Sequence, residues 1–293
     1  KPLAMTTQES AALVELAKSV KLAAGVNYNY RFYPITLEAR DRVRKGDLGQ
    51  IYLIVGGYVQ DWLLYPTDYN WRVLASEGGK LRAVADIGTH WLDLVQSITG
   101  LEVEALCADL HTVHSSRQRP KGEVETFSAK VQQVNATETI PIDTEDLGGV
   151  MLRFKGGARG MLWASQVAVG NENGLKLRVY GSKGGLEWAQ SDPNYLWFTP
   201  YGQPKQLITR GGAGSGPASA RVTRVPSGHP EGYLEGFANI YQEAARAIRA
   251  VRRKGGKLPK DVIYPTVEDG VEGVAFVEAC VKSSKKNAAW TKL

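Results

Sequence analysis

The sequence of 293 residues has few of the features that mark secreted, membrane or metal-binding proteins. Its two cysteines, Cys107 and Cys280, lie far apart without neighbouring ligands, so they predict neither a disulfide framework nor a metal site. We expect both to be small buried hydrophobic residues. No run approaches the roughly 18 uncharged apolar residues that a membrane span needs, and nothing resembles a signal peptide. These absences favour a globular protein of the cytoplasm.

Acidic residues are fewer than basic ones, and the formal net charge is +6. Much of the excess comes from RAIRAVRRKGGK at residues 246–257, a run that suits the end of a helix, where cations complement the helix dipole. The run has no interleaved aromatic residues and no accompanying DNA- or RNA-binding motif, so we predict no nucleic-acid partner. An attraction for anionic ligands stays open.

The beginning of the chain has the pattern helix, strand, helix. Thr6 and Glu9 have the spacing of a capping box, and the apolar residues after them predict a helix over 7–24. Alternating apolar residues predict a strand over 26–32, and a proline and a glycine bracket a second helix over 34–46. This order is typical of the last part of a doubly wound sheet.

From residue 49 onward, strand-like runs separated by turn residues dominate. They predict a large, mainly antiparallel sheet. In LKLRVY, apolar residues at 175, 177 and 179 alternate with Lys176 and Arg178, so one face should be buried and the other wet or paired with another subunit. Two late helices are predicted, one over DGVEGVAFVEACVKSSKK and one with an apolar stripe. That stripe consists of Leu234, Phe237, Tyr241, Ala245 and Ile248.

The stretch DIGTHWLDL carries the clearest chemical signal. If it is one helix, then Asp86, His90, Asp93 and Ser97 share a line, and two carboxylates flank a histidine. Such an arrangement can orient an imidazole and tune its basicity for general acid-base catalysis. A solvated polar helix face explains the same spacing equally well. Metal binding is disfavoured because no second histidine follows at i+4.

Several motifs, in this order, resemble the glucose-fructose oxidoreductase and inositol dehydrogenase family, often written Gfo/Idh/MocA. They are KPLAMTTQESAALVELA, NYRFYP, NWR, DIGTHWLDL, YGSKGGLEW, GHPEGY and YPTVEDGVEGVAFVEA, and they span essentially the whole chain. The resemblance implies an α/β fold: a large open antiparallel sheet with helices on one face, preceded by the last helix and strand of a Rossmann domain. It also implies NAD or NADP as cofactor.

The resemblance implies the catalytic residues. Lys1 matches a lysine that contacts the substrate hydroxyl, and His90 matches the proposed general base. Asp86 and Asp93 match carboxylates that orient the base or the sugar. We therefore predict Lys1, His90 and Asp86 as catalytic and Asp93 as substrate-binding. Their types suit alcohol oxidation, in which a base removes the hydroxyl proton and a cation stabilises the developing alkoxide.

The resemblance also implies cofactor contacts. Lys1 and Pro2 match the end of a Glu-Lys-Pro turn beside the nicotinamide, and Trp71 and Arg72 match a Trp-Arg pair near the cofactor. A core tryptophan with a salt-bridged arginine is an equal alternative for that pair.

Two further residues are implied to face the substrate, His229 and Tyr233, which match a segment before a long helix. Alternatively, Pro230 and Glu231 simply begin that helix, and the two interpretations are compatible.

The resemblance further implies two parts. Residues 1–33 would be the end of a dinucleotide-binding Rossmann domain, and residues 34–293 a substrate-binding and oligomerisation domain whose final helices can pack back on the Rossmann side. The dinucleotide fingerprint is not found in this sequence. We therefore expect the chain to be the carboxy-terminal portion of a longer dehydrogenase and to be inactive alone.

The expected activity is NAD(P)-dependent oxidation of a CH–OH group of a sugar, cyclitol or sugar derivative. Two alternatives stay open: an NAD-dependent, redox-assisted glycosidase of the same fold, and a non-catalytic module that binds sugar or forms oligomers. Because relatives commonly assemble through the large sheet, we expect a homodimer or homotetramer. We predict no metal and no membrane partner.

Overall fold

A single large sheet forms the centre of the fold. The computed structural model describes residues 1–20, 22–122, 136–253 and 262–293. The strands are β1 (Ile51–Val59), β2 (Val103–His111), β3 (Ser116–Pro120), β4 (Thr137–Pro141), β5 (Leu147–Phe154), β6 (Arg159–Ser165), β7 (Gly174–Gly181), β8 (Gly184–Ala189), β9 (Tyr195–Pro200), β10 (Gln206–Thr209) and β11 (Thr291–Lys292). The large sheet has the order β10-β9-β8-β7-β1-β6-β5-β2-β11, while β3 pairs with β4. Only β1 and β6 are parallel neighbours among the described strands, so the predicted mainly antiparallel sheet is confirmed.

Helices cover one face of this sheet. They are α1 (Thr7–Val20), α2 (Pro34–Lys45), α3 (Ala75–Gly78), α4 (Thr89–Thr99), α5 (Pro217–Ala220), α6 (Tyr233–Val251) and α7 (Val267–Ser284). The capping box predicted for α1 is present, since Thr6 and Glu9 exchange two hydrogen bonds of 3.1 Å. In the part of the chain that the structure describes, no helix combines the length and apolar character needed to cross a bilayer.

The core lies between α4 and the covered face of the sheet. The alternation predicted for β7 is confirmed: Leu175, Leu177 and Val179 are fully buried, and Lys176 and Arg178 are exposed. Trp91 of α4 is also fully buried and donates its indole N–H to the Lys176 carbonyl at 3.0 Å. A Cβ at Gly56 would lie 2.0 Å from that carbonyl oxygen and 2.6 Å from the indole nitrogen. Glycine at position 56 therefore permits α4 to approach the sheet closely.

The opposite face of the sheet is open. Residues on this face form rows across neighbouring strands, and Met151 pairs with Met161 in one of them. The large apolar side chains exposed here are Met151, Met161, Trp163, Trp197 and Leu207. Cys280 is buried as predicted, but Cys107 is only half-buried, because it lies opposite Met151 at this open face.

Residues 26–32 do not form the predicted strand. Gly25 makes an isolated bridge to Thr266, and a 3₁₀ helix covers Asn29–Phe32. Tyr28 and Tyr30 are both buried, as are the residues between them and after them up to Phe32. The segment lacks a neighbouring strand among the described residues and packs instead between α4 and α6, so burial on all sides replaces the alternation of a strand.

The apolar stripe predicted for α6 points away from the core. The exposed fractions of Leu234, Tyr241 and Ile248 are 76%, 64% and 42%. The inner face of α6 contains Asn239 and Glu243, which are held by hydrogen bonds to the backbone of Phe32 at 3.0 Å and of Ile263 at 3.1 Å. Residues 254–257 of the basic run that follows α6 lie outside the described residues.

Candidate active site

Asp86 is the centre of a charged cluster at the carboxyl ends of the parallel strands β1 and β6. Lys1 Nζ lies 2.7 Å from Asp86 Oδ1 and also donates to the Asp86 carbonyl, while Arg72 Nε lies 3.4 Å from Oδ1. Gln166, one residue beyond β6, donates to Oδ2 at 3.2 Å. Burial acts to raise the pKa of Asp86, but the charges of Lys1 and Arg72 outweigh it and hold the pKa below 3.8. Asp86 is therefore an anion at neutral pH.

Asp86 lies in a π-helical turn, Val84–Gly88, directly before the helix that bears His90. This turn contains an extra residue, so Asp86 is rotated away from the line that a continuous α-helix predicts. Asp93 is 5% exposed, and Arg31 holds both of its oxygens, with Nε donating to Oδ2 at 3.0 Å. Among the described residues neither carboxylate bonds to His90, so the predicted flanking of the histidine is wrong. Because both oxygens of Asp93 accept hydrogen bonds from Arg31, this carboxylate is engaged within the protein, and its role in substrate binding stays a prediction.

Aromatic side chains, rather than carboxylates, surround His90. Its ring centroid lies 5.5, 5.1 and 6.1 Å from those of Tyr28, Tyr30 and Tyr58. His90 is 8% exposed, and its Nδ1 is enclosed without a hydrogen-bond partner in the described chain, which leaves Nε2 as the nitrogen available to a ligand. Burial, followed by the charge of Lys1, lowers the pKa of His90 well below 6.5. The imidazole is therefore neutral at pH 7 and can accept a proton.

The lowered pKa of His90 predicts a loss of stability in acid. The unfolded chain binds a proton to this histidine below about pH 6.5, whereas the folded chain does not, so the free energy of unfolding should fall as the pH drops below that value. Between pH 6.5 and 5.5 we expect the wild type to lose about 1 kcal/mol more than His90→Asn, which removes this titration. Urea unfolding of both proteins at the two pH values measures the difference. Equal losses would contradict the assigned direction of the pKa shift.

A network of neutral polar groups connects the tyrosines to the charged cluster. The hydroxyls of Tyr30 and Tyr58 lie 2.7 Å apart, and Tyr58 donates to Asn173 Oδ1 at 2.7 Å. Gln60 also donates to Asn173 Oδ1 at 2.7 Å and lies 3.4 Å from Gln166, the partner of Asp86. Burial raises the pKa of Tyr30 and Tyr58, so their hydroxyls remain protonated donors. The sequence gives no signal for this network, because its residues come from separate segments without a shared motif.

Trp71 and Arg72 lie at the edge of the charged cluster. They begin a 3₁₀ helix over Trp71–Val73, and the Asn70 side chain accepts from the Arg72 backbone N–H at 2.9 Å. Trp71 is 40% exposed, so the alternative of a core tryptophan is wrong. The Arg72 guanidinium lies 4.5 Å from the centre of the Trp71 ring while its Nε faces Asp86. The cation on this exposed indole therefore shares the Asp86 carboxylate with Lys1, and Pro2 beside Lys1 is half-buried.

Tyr233 and His229, the two remaining predicted site residues, lie at different places relative to the charged cluster. Tyr233, at the start of α6, is 52% exposed, and burial together with the charge of Asp86 raises its pKa. His229 is exposed and lines a separate cavity of about 770 Å³; no described contact joins its imidazole to Lys1, Asp86 or His90. Within the described ranges, no group of three or more His, Cys, Asp or Glu side chains could hold a metal ion.

Comparison with known proteins gives concordant matches. Residues 36–187 match the model of the GFO/IDH/MocA C-terminal domain. An oxidoreductase structure from Sinorhizobium meliloti is 45% identical, with a TM-score of 0.78, over 100% of this chain and 71% of that one. An inositol dehydrogenase homologue from Azotobacter vinelandii, complexed with NADH and myo-inositol, is 30% identical with a TM-score of 0.84 over 100% and 70%. Levoglucosan dehydrogenase from Pseudarthrobacter phenanthrenivorans is 31% identical over 64% of this chain and 47% of its own.

Proposed function

Because the chain belongs to the Gfo/Idh/MocA family of oxidoreductases, we propose that it forms the substrate site of an NAD(P)-dependent dehydrogenase that oxidises a CH–OH group of a sugar, cyclitol or sugar derivative. The observation that carries the proposal is the ion pair of Lys1 with Asp86 beside a neutral, nearly buried His90. The relatives that act on or bind levoglucosan and myo-inositol support this class of substrate.

Lys1, Asp86 and His90 are proposed to have separate roles in alcohol oxidation. His90 accepts the substrate hydroxyl proton at Nε2, the ring nitrogen left available, and its low pKa keeps it unprotonated beforehand. The Lys1 ammonium stabilises the negative charge that develops on the oxygen, and Asp86 holds that ammonium in place. Hydride acceptance is the chemistry that a bound nicotinamide supplies. Tyr233, whose side chain is 52% exposed, offers a hydroxyl group to the other hydroxyls of a polyol.

For the cofactor, Lys1, Pro2, Trp71 and Arg72 fit the nicotinamide end. The exposed Trp71 ring offers a flat apolar surface beside the charged cluster, and Arg72 adds a cation that suits an anionic group. These residues do not distinguish NAD from NADP.

The dinucleotide phosphates are proposed to bind elsewhere, in a domain of which residues 1–33 are the last part. In support, α1 exposes Leu13, Leu16 and Val20 by 39%, 56% and 48%, an apolar face suited to covering a sheet. Residues 34–293 are then the substrate-binding and oligomerisation domain.

The proposal is tested with the longest reading frame that contains this chain. The purified protein is incubated with NAD or NADP and a panel of cyclitols and anhydrosugars, and formation of the reduced nicotinamide is followed by absorbance. Reduction that depends on one of these polyols supports the dehydrogenase. Release of sugar from an aryl glycoside without net NADH would instead establish the glycosidase alternative, and sugar binding with neither cofactor binding nor turnover would establish a non-catalytic module.

The open face of the sheet is proposed to pack against a second copy of the chain. Its methionines and tryptophans are 41% to 54% exposed and include the cross-strand pair Met151 and Met161, while Trp197 pairs with Leu207, which exceeds what isolated surface residues explain. We expect Met161→Glu to convert the oligomer to monomers, as measured by light scattering after size-exclusion chromatography. Tyr201→Glu, at a turn beyond the face and 87% exposed, is the matched control and should leave the mass unchanged. A monomeric wild type, or an oligomer unaffected by Met161→Glu, would refute the interface.

A further inference from the structure

Five arginines converge where α2, α5 and α6 meet, away from the cluster around Asp86. A cavity of about 70 Å³ lies between α2 and the segment after α5, and one of about 630 Å³ continues along α6. The arginines that line them are Arg40, Arg44, Arg221, Arg246 and Arg249, and Arg221 lines both. Because three separate elements contribute, the cluster is a property of the fold rather than of one charged run.

Arg221 and Arg246 share a single carboxylate. Glu243 is buried on the inner face of α6, and its Oε1 lies 2.6 Å from Arg221 and 3.0 Å from Arg246. Its Oε2 accepts the Ile263 backbone N–H at 3.1 Å. Glu243 is therefore shared between two guanidinium groups, and both of its carboxylate oxygens are engaged.

The other three arginines of the cluster are not neutralised by the described residues. Arg40, Arg44 and Arg249 form no ion pair there, and the one further carboxylate at the small cavity, Asp41, pairs with Lys45 at 2.6 Å. Among the described residues that line the two cavities, arginines therefore outnumber carboxylates.

Arg40 is the arginine of the cluster whose side chain is least well compensated by the described residues. Its Nε is buried and has no hydrogen-bond partner in the described chain. Burial, then the charges of Arg44, Arg31 and Arg221, lower the pKa of Arg40 to about 10. A guanidinium with an enclosed, unused donor beside like charges is unfavourable unless an anion supplies the missing acceptor and charge.

We propose that Arg40, Arg44 and Arg221, extended by Arg249, form a binding site for a small phosphate-bearing anion with at least two negative charges. Guanidinium groups bind phosphate oxygens through paired hydrogen bonds, and neither Arg40 nor Arg44 has an ion-pair partner among the described residues that would compete with such an anion. The arginines converge on two adjoining cavities instead of following a strip with stacking aromatics, which favours a small anion over a nucleic acid. This site is independent of the proposed dehydrogenase activity.

Pyrophosphate, titrated calorimetrically into the protein at fixed ionic strength, is the probe. We expect Arg40→Gln and Arg44→Gln each to weaken binding about tenfold or more, as for the loss of a hydrogen bond to a charged group. Lys285→Gln, which removes an exposed positive charge just beyond α7, is the matched control and should change the affinity less than twofold. Because Arg40 has no ion-pair partner to lose among the described residues, Arg40→Gln should unfold at a temperature no lower than that of the wild type, which a thermal melt verifies.

Three results would overturn the proposal. The first is an absence of pyrophosphate binding. The second is equal weakening by all three variants, which would reflect only the general attraction of a protein with net charge +6. The third is binding of a long RNA without binding of pyrophosphate, which would identify an extended polyanion surface in place of a small-anion site.

Discussion

Replacing His90 by alanine is expected to lower kcat for polyol oxidation by about 10²- to 10⁴-fold, the usual contribution of a general base. KM should change little, because the neutral imidazole contributes more to the transition state than to binding of the resting substrate. The physical reason is local: Lys1 and Arg72 engage the Asp86 carboxylate and lower its pKa, which makes it a poor proton acceptor. Steady-state kinetics at saturating cofactor measure the effect.

Two further variants separate chemistry from folding. His90 fills a cage of three tyrosines, so its truncation also removes packing, whereas His90→Gln keeps most of the volume and the polarity. It should lose activity comparably while retaining the melting temperature more closely. His111→Ala, at the exposed end of β2, controls for loss of a histidine and should keep full activity. A His90→Ala rate within threefold of the wild type would exclude His90 as the base.

The sheet could be predicted from the sequence because its signal is local. Each strand carries its own alternation, as in β7, where Leu177 is buried and Lys176 is exposed, so the pattern is visible without its neighbours. The predicted strand over 26–32 and the predicted buried stripe of α6 were wrong for the opposite reason. In both, partners distant in the chain decide which apolar residues are buried: Tyr30 packs inward onto His90, whereas Tyr241 faces outward. Periodicity alone cannot tell which side of an element its partner will cover.

The candidate site was predictable to a similar, partial extent. Asp86 and His90 stand out because they share one short motif, but their relationship depends on the π-helical turn at Val84–Gly88, which no spacing rule reveals. Asp93 has the right chemistry and spacing, yet its function depends on Arg31, 62 residues earlier. The tyrosine and amide network has no motif at all. Its members become neighbours only because β1 and β6 end, and β7 begins, at the same edge of the sheet.

The buried ion network around Asp146 supports the turn that bears Asp86. Arg82 and Arg117 are almost fully buried, and both pair with Asp146 Oδ1, Arg117 at 2.6 Å. The backbone N–H groups of Val113 and His114 donate to Oδ2 at 2.7 and 3.0 Å. Burial acts to raise the pKa of Asp146, but Arg82 and these hydrogen bonds outweigh it and hold the pKa below its usual value.

Glu145, directly before Asp146 in the sequence, binds the backbone at the start of the π-helical turn. Glu145 accepts the backbone N–H groups of Arg82 and Val84, each at 2.8 Å. Two adjacent carboxylates therefore fix the residues that begin the π-helical turn, so the position of Asp86 depends on buried charges outside the candidate site.

Asp146→Ala is therefore expected to lower the free energy of unfolding by about 3–5 kcal/mol, because it leaves two guanidinium groups buried without their shared anion. Urea denaturation of the variant and the wild type at neutral pH measures the loss. Glu102→Ala breaks an ion pair of 2.5 Å with Lys155 that is open to solvent, and it should leave the denaturation midpoint essentially unchanged. If both variants shifted the midpoint equally, burial would not be the reason for the large contribution of Asp146 to the free energy of unfolding. If Asp146→Ala alone is destabilised and also loses activity beyond its unfolded fraction, the network positions the turn of Asp86 as well as stabilising the fold.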